Sequence, residues 1–477
     1  MLFFIHQGRC LVKGENCLSW MSLDFLRPAP YQPVVKTENE IDQDYRYWRI
    51  RICYSVFLGY ALFYFTRKSF TFAMPYLAAD LGFSKAELGF LASILYLSYG
   101  ISKFVSGIMS DRSNPRYFMA MGLILTGIFN ILFGLSSSLW LFALFWGLNG
   151  WFQAWGWPAC CKQLNYWYAQ SERGLWYSIC STSHNLGGAL IPLLAVYCAM
   201  NFGWRYALFV PAVCSILMGL VLINRLRDVP RSLGLPTVEE YKDKSFSTTT
   251  AHATKHSNLS VREILFNQVL NNKYVWIFSI SYFFVYVVRT AINDWTFFYL
   301  TEAKHMPDML ASSGVFWFEV GGFFGMIAAG WGSDKIWRGN RVPSMVICGI
   351  GLMASLLGLM YIPVNYVFMD MLLLALIGAF VFGPQMIVGL AAAEYVDKRA
   401  AATSNGFAGT LGYFGAAFAG YPIGKMIDAW GWDGFFVALL VSSAIIVFML
   451  FPLWSTKKEK DPKLNWPIDQ SPDKVSP

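Results

Sequence analysis

Apolar runs of about 20 residues recur along almost the whole chain, separated by short polar stretches rich in Gly, Pro and basic residues. Each run is long enough to cross about 30 Å of hydrocarbon as an α-helix, which satisfies its own backbone N–H and C=O groups. The pattern predicts twelve spans, near residues 52–75, 87–109, 117–136, 139–160, 174–199 and 205–224, then 274–300, 313–332, 343–362, 366–391, 402–426 and 434–454. Between the sixes, residues 225–272 hold Arg225, Arg227, Arg231, Lys242, Lys244, Lys255 and Arg262 beside a run of Ser and Thr, and read as a partly disordered linker. The expected organisation is a tail at 1–50, a first half at 51–224, the linker at 225–272, a second half at 273–454 and a second tail at 455–477.

Loop charges orient these spans. Arg112, Arg116, Lys162, Arg173, Lys335, Arg338, Arg341, Lys398, Arg399 and the Lys457/Lys458/Lys460 tail fall on the linker's side, whereas only Lys85, Arg205 and Lys304 fall opposite. The excess of positive charge marks the cytoplasmic side, so both termini are expected there. The first 20 residues lack the continuous apolar core and cleavage site of a signal peptide, and Met21 is a second candidate start. Residues 22–44 are polar and Pro-rich and are expected to form a flexible tail, leading into the basic aromatic Tyr45–Arg51 stretch at the membrane surface.

Composition agrees: 477 residues, 56% hydrophobic and 14% charged, give a mean hydropathy of +0.43, far from the roughly 25% charged make-up of a soluble domain. The net charge of +8 does not point to nucleic acid, because the basic residues lie between apolar runs. Nine cysteines, mostly inside apolar runs and without paired ligand spacing, suit buried packing and not disulfides or metal. No Ser/His/Asp arrangement, metal spacing or phosphate-cradling Gly loop beside a strand is present, so neither an enzyme nor a bound cofactor is expected.

Charges inside the spans carry the candidate chemistry, because an ionised side chain at bilayer depth costs roughly 2.5–3.5 kcal/mol on insertion scales. Gly59–Pro75 carries Arg67 and Lys68, and Ser281–Leu300 carries Arg289. Tyr60 and Tyr64 stand seven and three residues before Arg67, as Tyr282 and Tyr286 do before Arg289. Arg51 and Lys273 each lie sixteen residues ahead of the corresponding arginine, which at the helical rise is roughly 24 Å from the basic edge. Ser106–Arg116, with Asp111 and Arg112, is echoed by Ala329–Arg341, with Asp334 and Lys335, at offsets of 44 and 45 from the arginines. Two homologous six-span halves follow. Two guanidiniums at matched depth suit a phosphate dianion, since arginine stays charged and offers a planar fork of N–H donors.

These features resemble the major facilitator superfamily, an all-α polytopic fold of twelve transmembrane helices in two pseudo-symmetric six-helix halves. The strings at 60–70, 102–116, 183–192, 285–295 and 330–341 are similar to those of the organophosphate:phosphate antiporter family, nearest its UhpC-type hexose-phosphate carriers and receptors. The resemblance covers roughly residues 44–454. It implies that Arg67 and Arg289 bind phosphate, that His184 and Lys103 match the family's fifth-helix histidine and second-helix lysine, and that Lys68, Asp294 and Glu319 form a salt-bridge network between halves. It implies exchange of a sugar phosphate for inorganic phosphate across a bacterial inner membrane, or, in the receptor case, signalling to a membrane histidine kinase; glycerol 3-phosphate is a further candidate substrate. The chain departs from the family at Cys180-Ser181-Thr182-Ser183-His184-Asn185, where Trp-Asn-x-x-His-Asn is common, and at Phe152-Gln153-Ala154, where Phe-Gln-Gly is usual.

Each assignment has a plainer counterpart. His184 could share a proton with a phosphate ester or simply pack, and Lys103 could line the site or snorkel to the surface. The four tyrosines could hydrogen-bond the ligand or only fill space. Lys425 and Asp428, at i and i+3 near the outer end of the eleventh span, could read the sugar or pair with each other. The Gly409–Gly420 run reads as small-residue helix packing.

Overall fold

The computed structural model describes residues 26–111, 113–242, 266, 269–337, 340–396 and 401–454. It is a bundle of twelve spans. Spans one to three are Glu38–Leu81, Lys85–Asp111 and Pro115–Leu135; the fourth is built from Leu139–Gln153 and Gly156–Trp167, the fifth from Gln170–Ser181 and Ser183–Phe202, and the sixth is Tyr206–Arg225. In the second half, spans seven to ten are Lys273–Glu302, Asp308–Lys335, Val342–Tyr361 and Val367–Glu394. The eleventh begins as Ala401–Phe418 and resumes at Tyr421, and Gly431, at φ +66°, turns the chain into the twelfth, which ends at Leu450. Eight segments are apolar enough throughout to span a membrane on composition alone, with the eleventh and twelfth as one run. The first, second and fourth are not among them, and the first two carry Arg67, Lys68 and Lys103.

Three spans that the hydrophobic pattern predicts as continuous are broken, each for a local reason. Pro158 has no N–H for the Ala154 carbonyl, the fourth span parts there, and the Ser106 hydroxyl donates to that oxygen at 3.0 Å. In the fifth, the Thr182 and Ser183 hydroxyls donate to the Ile179 and Cys180 carbonyls at 2.7 and 2.6 Å, and His184 Nδ1 meets the Ser181 carbonyl, so three successive side chains compete for the backbone. In the eleventh, Trp295 Nε1 donates to Ala419 O at 3.0 Å and Ser93 Oγ to Ala417 O at 2.6 Å, so neighbouring spans satisfy the opened turn.

The tail expected to be flexible is instead docked over its described part. Thr37 caps the first span at Glu38, with Glu40 bonding back to Thr37 N. Ala29 N donates to Asp228 Oδ2 at 2.8 Å, Gln32 N to Arg231 O at 2.9 Å, and Tyr45 stacks on Tyr241 at 4.1 Å while donating to Pro236 O. Arg49 and Lys242 both pair with Glu172, at 2.6 and 2.9 Å. The start of the linker therefore supplies a second surface that the polar tail could not find alone. Lys244, Lys255 and Arg262 lie outside the described residues.

The halves meet where the second span packs on the eleventh, the fifth on the eighth and the first on the seventh. The face opposite the tail and linker, here the far face, is tightly closed. A Cβ on Gly89 would come within 2.4 Å of Gly420 O, and one on Gly424 within 2.4 Å of Lys85 O. Lys85 Nζ reaches Glu302 at 2.8 Å, and the Tyr76 hydroxyl donates to Asp308 across the same junction. Moving toward the tail face, the gap widens: the nearest neighbour of a Cβ is Tyr413 at 3.2 Å for Gly100, Lys103 Nζ at 3.8 Å for Gly409, and nothing within 4 Å for Gly107 and Gly406. The two halves form a wedge, shut at the far face and parting toward the tail face.

Candidate functional site

At mid-depth in the wedge, a small cavity of about 30 Å³ lies between the halves, and its lining includes Tyr64, Arg67, Lys68, Arg289 and Tyr413. Such a volume holds about one water. Arg67 comes from the first span and Arg289 from the seventh, so each half contributes one guanidinium.

Neither arginine has a carboxylate partner among the described residues. Arg67 is 8% exposed; its Nε lies 3.4 Å from Gln153 Oε1, its Nη2 is buried without a hydrogen-bond partner, and the guanidinium sits 4.6 Å from the ring centres of both Tyr64 and Tyr99. Arg289 makes no hydrogen bond or ion pair to any described residue and lies over Phe382 at 4.7 Å and Tyr286 at 5.6 Å. Aromatic faces attract a cation through their quadrupole but leave its N–H donors free. The site therefore keeps two positive charges and unsatisfied donors aimed at a common void.

Lys68, one residue and about 100° further round the first span, is committed elsewhere. Its ammonium is 2.6 Å from Asp294 Oδ1, with both side chains under a tenth exposed, and the Tyr96 hydroxyl donates to Asp294 Oδ2 at 2.7 Å. Thr71 Oγ1 adds a longer contact of 3.3 Å. The expected tie from Lys68 to Glu319 is not formed. Glu319 instead accepts from Asn293 at 2.7 Å, its other oxygen is buried without a partner, and it lies against the fifth span, where a Cβ on Gly188 would come within 3.1 Å of its carboxyl carbon. The Lys68 ammonium is already held by Asp294 and the Tyr96 hydroxyl, at 2.6 and 3.2 Å, which leaves the Glu319 carboxylate to the Asn293 amide.

The remaining residues divide. Tyr64 and Tyr286 line the cavity; Tyr60 packs on Trp157 at 5.0 Å and Tyr282 on Tyr286 at 4.9 Å, one turn back. His184 stands 5.7 Å from the Tyr64 ring, outside the lining. Lys103 is exposed in the open part of the wedge, 4.9 Å over the Tyr413 ring. The Lys425–Asp428 ion pair does not form: Asp428 accepts from Lys85 N at 3.2 Å and Ala86 N at 2.7 Å, capping the second span from the other half. Lys425 is exposed. Lys335 is exposed at the end of the eighth span; Asp111 and Asp334 are helical with side chains outside the described residues, and Arg112 lies wholly outside them.

Several lining or supporting residues were not singled out by the charge pattern. Tyr96, Tyr99 and Tyr413 look like membrane aromatics in sequence, and Tyr413 hides in the Gly-rich run. Gln153 and Asn149 form a buried polar layer: Gln153 Nε2 donates to Thr66 Oγ1 at 2.8 Å, and Asn149 Nδ2 to Thr66 O at 3.1 Å. An amide inside an apolar run was the available signal. An open cleft of about 500 Å³ between the far ends of spans one, five and six, lined by Tyr76, Phe202 and Trp204, shares none of these residues.

Two pseudo-symmetric halves around a buried, anion-ready cleft define a secondary membrane transporter. The family model described as Major Facilitator Superfamily matches residues 56–420. The chain is 54% identical to the "Probable hexose phosphate transport protein" of Chlamydia pneumoniae, over 91% of this chain and 97% of that one. It is 45% identical to the "Membrane sensor protein UhpC" of Escherichia coli (strain K12), over 92% and 100%, and 37% identical to the "Glycerol-3-phosphate transporter" of Bacillus subtilis (strain 168), over 92% and 99%. Among solved structures, a bacterial homologue of the human lysosomal transporter Spinster, inward-facing and unoccupied, superposes with a TM-score of 0.69 at 15% identity, over 85% of this chain and 96% of that one, and shares the fold. The chain belongs to the major facilitator superfamily and, within it, to the organophosphate:phosphate antiporter family.

Proposed function

We propose that this protein exchanges a hexose phosphate, most specifically glucose 6-phosphate, for inorganic phosphate by alternating access across the bacterial inner membrane, with both tails and the linker in the cytoplasm. One observation carries the reading: two guanidiniums without carboxylate partners among the described residues, one per half, face a single cavity. A phosphate dianion between them neutralises both and is shared by sugar phosphate and free phosphate, so either ligand favours the same closure and either can return the carrier. The cavity of about 30 Å³ is too small for a hexose, so the halves part to admit it, and the open wedge at the tail face supplies the route. Reopening at the far face requires breaking the Lys85–Glu302, Tyr76–Asp308 and Asp428 contacts.

The relatives named above as hexose phosphate transport proteins support the choice of substrate. A second reading, a receptor for external hexose phosphate that signals to a membrane histidine kinase, is favoured by the full-length match to a membrane sensor. Purified protein in phosphate-loaded liposomes separates them. Accumulation of labelled glucose 6-phosphate that requires internal phosphate supports the antiporter; saturable binding without accumulation supports the receptor.

A further inference from the structure

The central site leaves one dense group of charges unused, on the tail face. Three arginines, from the first span, the third span and the chain just after the sixth, converge on the end of the sixth. Arg51 Nη2 donates to Asn224 O at 3.1 Å and Oδ1 at 2.9 Å; Arg116 Nε donates to Ile223 O; Arg227 Nη1 donates to Asn224 O at 2.9 Å and Leu226 O at 2.7 Å. Arg51 and Arg227 also share the Trp48 ring, at 5.0 and 4.7 Å.

A helix C-terminus carries about half a negative charge and is served by one cation. Three full charges exceed that need, and no described carboxylate forms an ion pair with any of them: Asp42, Asp44, Glu172 and Glu240 are paired with Arg46, Lys36, Arg49 and Arg231, and Asp228, next to Arg227 in the chain, accepts from Ala29 N. Burial, and after it the charges of Arg116 and Arg51, hold the Arg227 guanidinium below its ordinary value.

The same faces continue into the membrane as exposed apolar lanes. Tyr54 and Leu58 lie three and seven residues beyond Arg51 on the first span, and Val221 and Leu217 lie three and seven residues before Asn224 on the sixth, all exposed. These spans pack side by side. Cations at the headgroup level above two lipid-facing apolar stripes are complementary to a phosphate that carries acyl chains.

We propose that Arg51, Arg116 and Arg227 form a binding site for the phosphodiester headgroup of an anionic phospholipid in the tail-side leaflet. A headgroup with two phosphates matches the charge better than one. Soluble phosphate esters share the headgroup chemistry but would leave the apolar lanes uncovered.

The test uses the full chain in detergent, with native mass spectrometry of retained lipid. Diphosphatidylglycerol is expected to be held at least about tenfold over phosphatidylcholine of the same acyl length, and Arg116→Gln or Arg227→Gln to lower that preference about fivefold each, with Arg227→Lys keeping most of it. Millimolar glucose 6-phosphate should leave the bound lipid in place. Equal retention of anionic and zwitterionic lipid, unchanged preference in both Gln variants, or displacement by glucose 6-phosphate would each overturn the proposal. If the Gln variants fail to fold, the wild-type melting temperature decides: it should rise with diphosphatidylglycerol and not with phosphatidylcholine, and equal rises overturn the assignment.

Discussion

Replacing Lys68 by alanine probes the tie between halves most sharply. The substitution leaves the Asp294 carboxyl without its cation in a site under a tenth exposed. Breaking a buried pair by removing one partner costs about 3–5 kcal/mol. Asp294 keeps the Tyr96 hydroxyl at 2.7 Å and Thr71 at 3.3 Å, which places the expected cost near the lower end, about 3 kcal/mol. At 1.36 kcal/mol per decade, the far-face-closed arrangement becomes roughly a hundredfold less favourable relative to alternatives without the pair. A cycle that must revisit that arrangement on every turn then slows by at least about tenfold. Phosphate:phosphate and glucose 6-phosphate:phosphate exchange, measured in proteoliposomes at matched protein content, report the effect. The exchanged pair Lys68→Asp with Asp294→Lys should recover part of the loss, because the charges face each other directly. Exchange at the wild-type rate in Lys68→Ala, or a loss in the swapped variant equal to the sum of the single losses, would refute the role given to this pair.

Further outcomes follow from other parts of the structure. Gln153→Glu places a carboxylate at the amide oxygen 3.4 Å from Arg67 Nε; it should neutralise that guanidinium and cut phosphate exchange at least about tenfold, whereas Gln153→Met should leave more activity, read by the same exchange assay. Gly89→Val adds bulk where even a Cβ would sit 2.4 Å from Gly420 O, so it should hold the far face open, seen as faster labelling of a cysteine placed at position 93 by a membrane-impermeant thiol reagent. Burial opposes ionisation of Glu172, but hydrogen bonds from Lys242 and Arg49 outweigh it and hold its carboxyl below the ordinary value. Stability from that group is therefore present above about pH 4.3 and is lost as pH falls through the lower folded value, so protease sensitivity of the docked tail should rise there and Glu172→Gln should weaken the dependence.

The residues that were legible in the sequence were those for which the membrane makes a single demand. Arg67, Lys68, Arg289 and Asp294 could be recognised because a charge at bilayer depth needs a partner or a purpose; the repeated tyrosine spacing marked the duplication, and the matched offsets from Arg51 and Lys273 set both arginines at one level. What escaped notice depended on neighbours distant in the chain. Asp428 looked like a partner for Lys425 three residues away, yet the free N–H groups at the start of the second span, more than 300 residues earlier, bind it instead. Tyr99 and Tyr413 have no local mark separating them from lipid-facing aromatics; only the crossing of spans two and eleven, with ring centres 4.6 Å apart, sets them beside Arg67 and Lys103. The tail looked disordered because its own composition cannot bury a core, and the linker's Tyr241, Asp228 and Arg231 supply what it lacks.

Equilibrium binding to the purified chain bears most directly on the shared clamp. Titration with inorganic phosphate should give one site per chain, competed fully by glucose 6-phosphate, and lost in both Arg67→Ala and Arg289→Ala. Simultaneous binding of phosphate and glucose 6-phosphate, or undiminished phosphate affinity in either arginine variant, would contradict it.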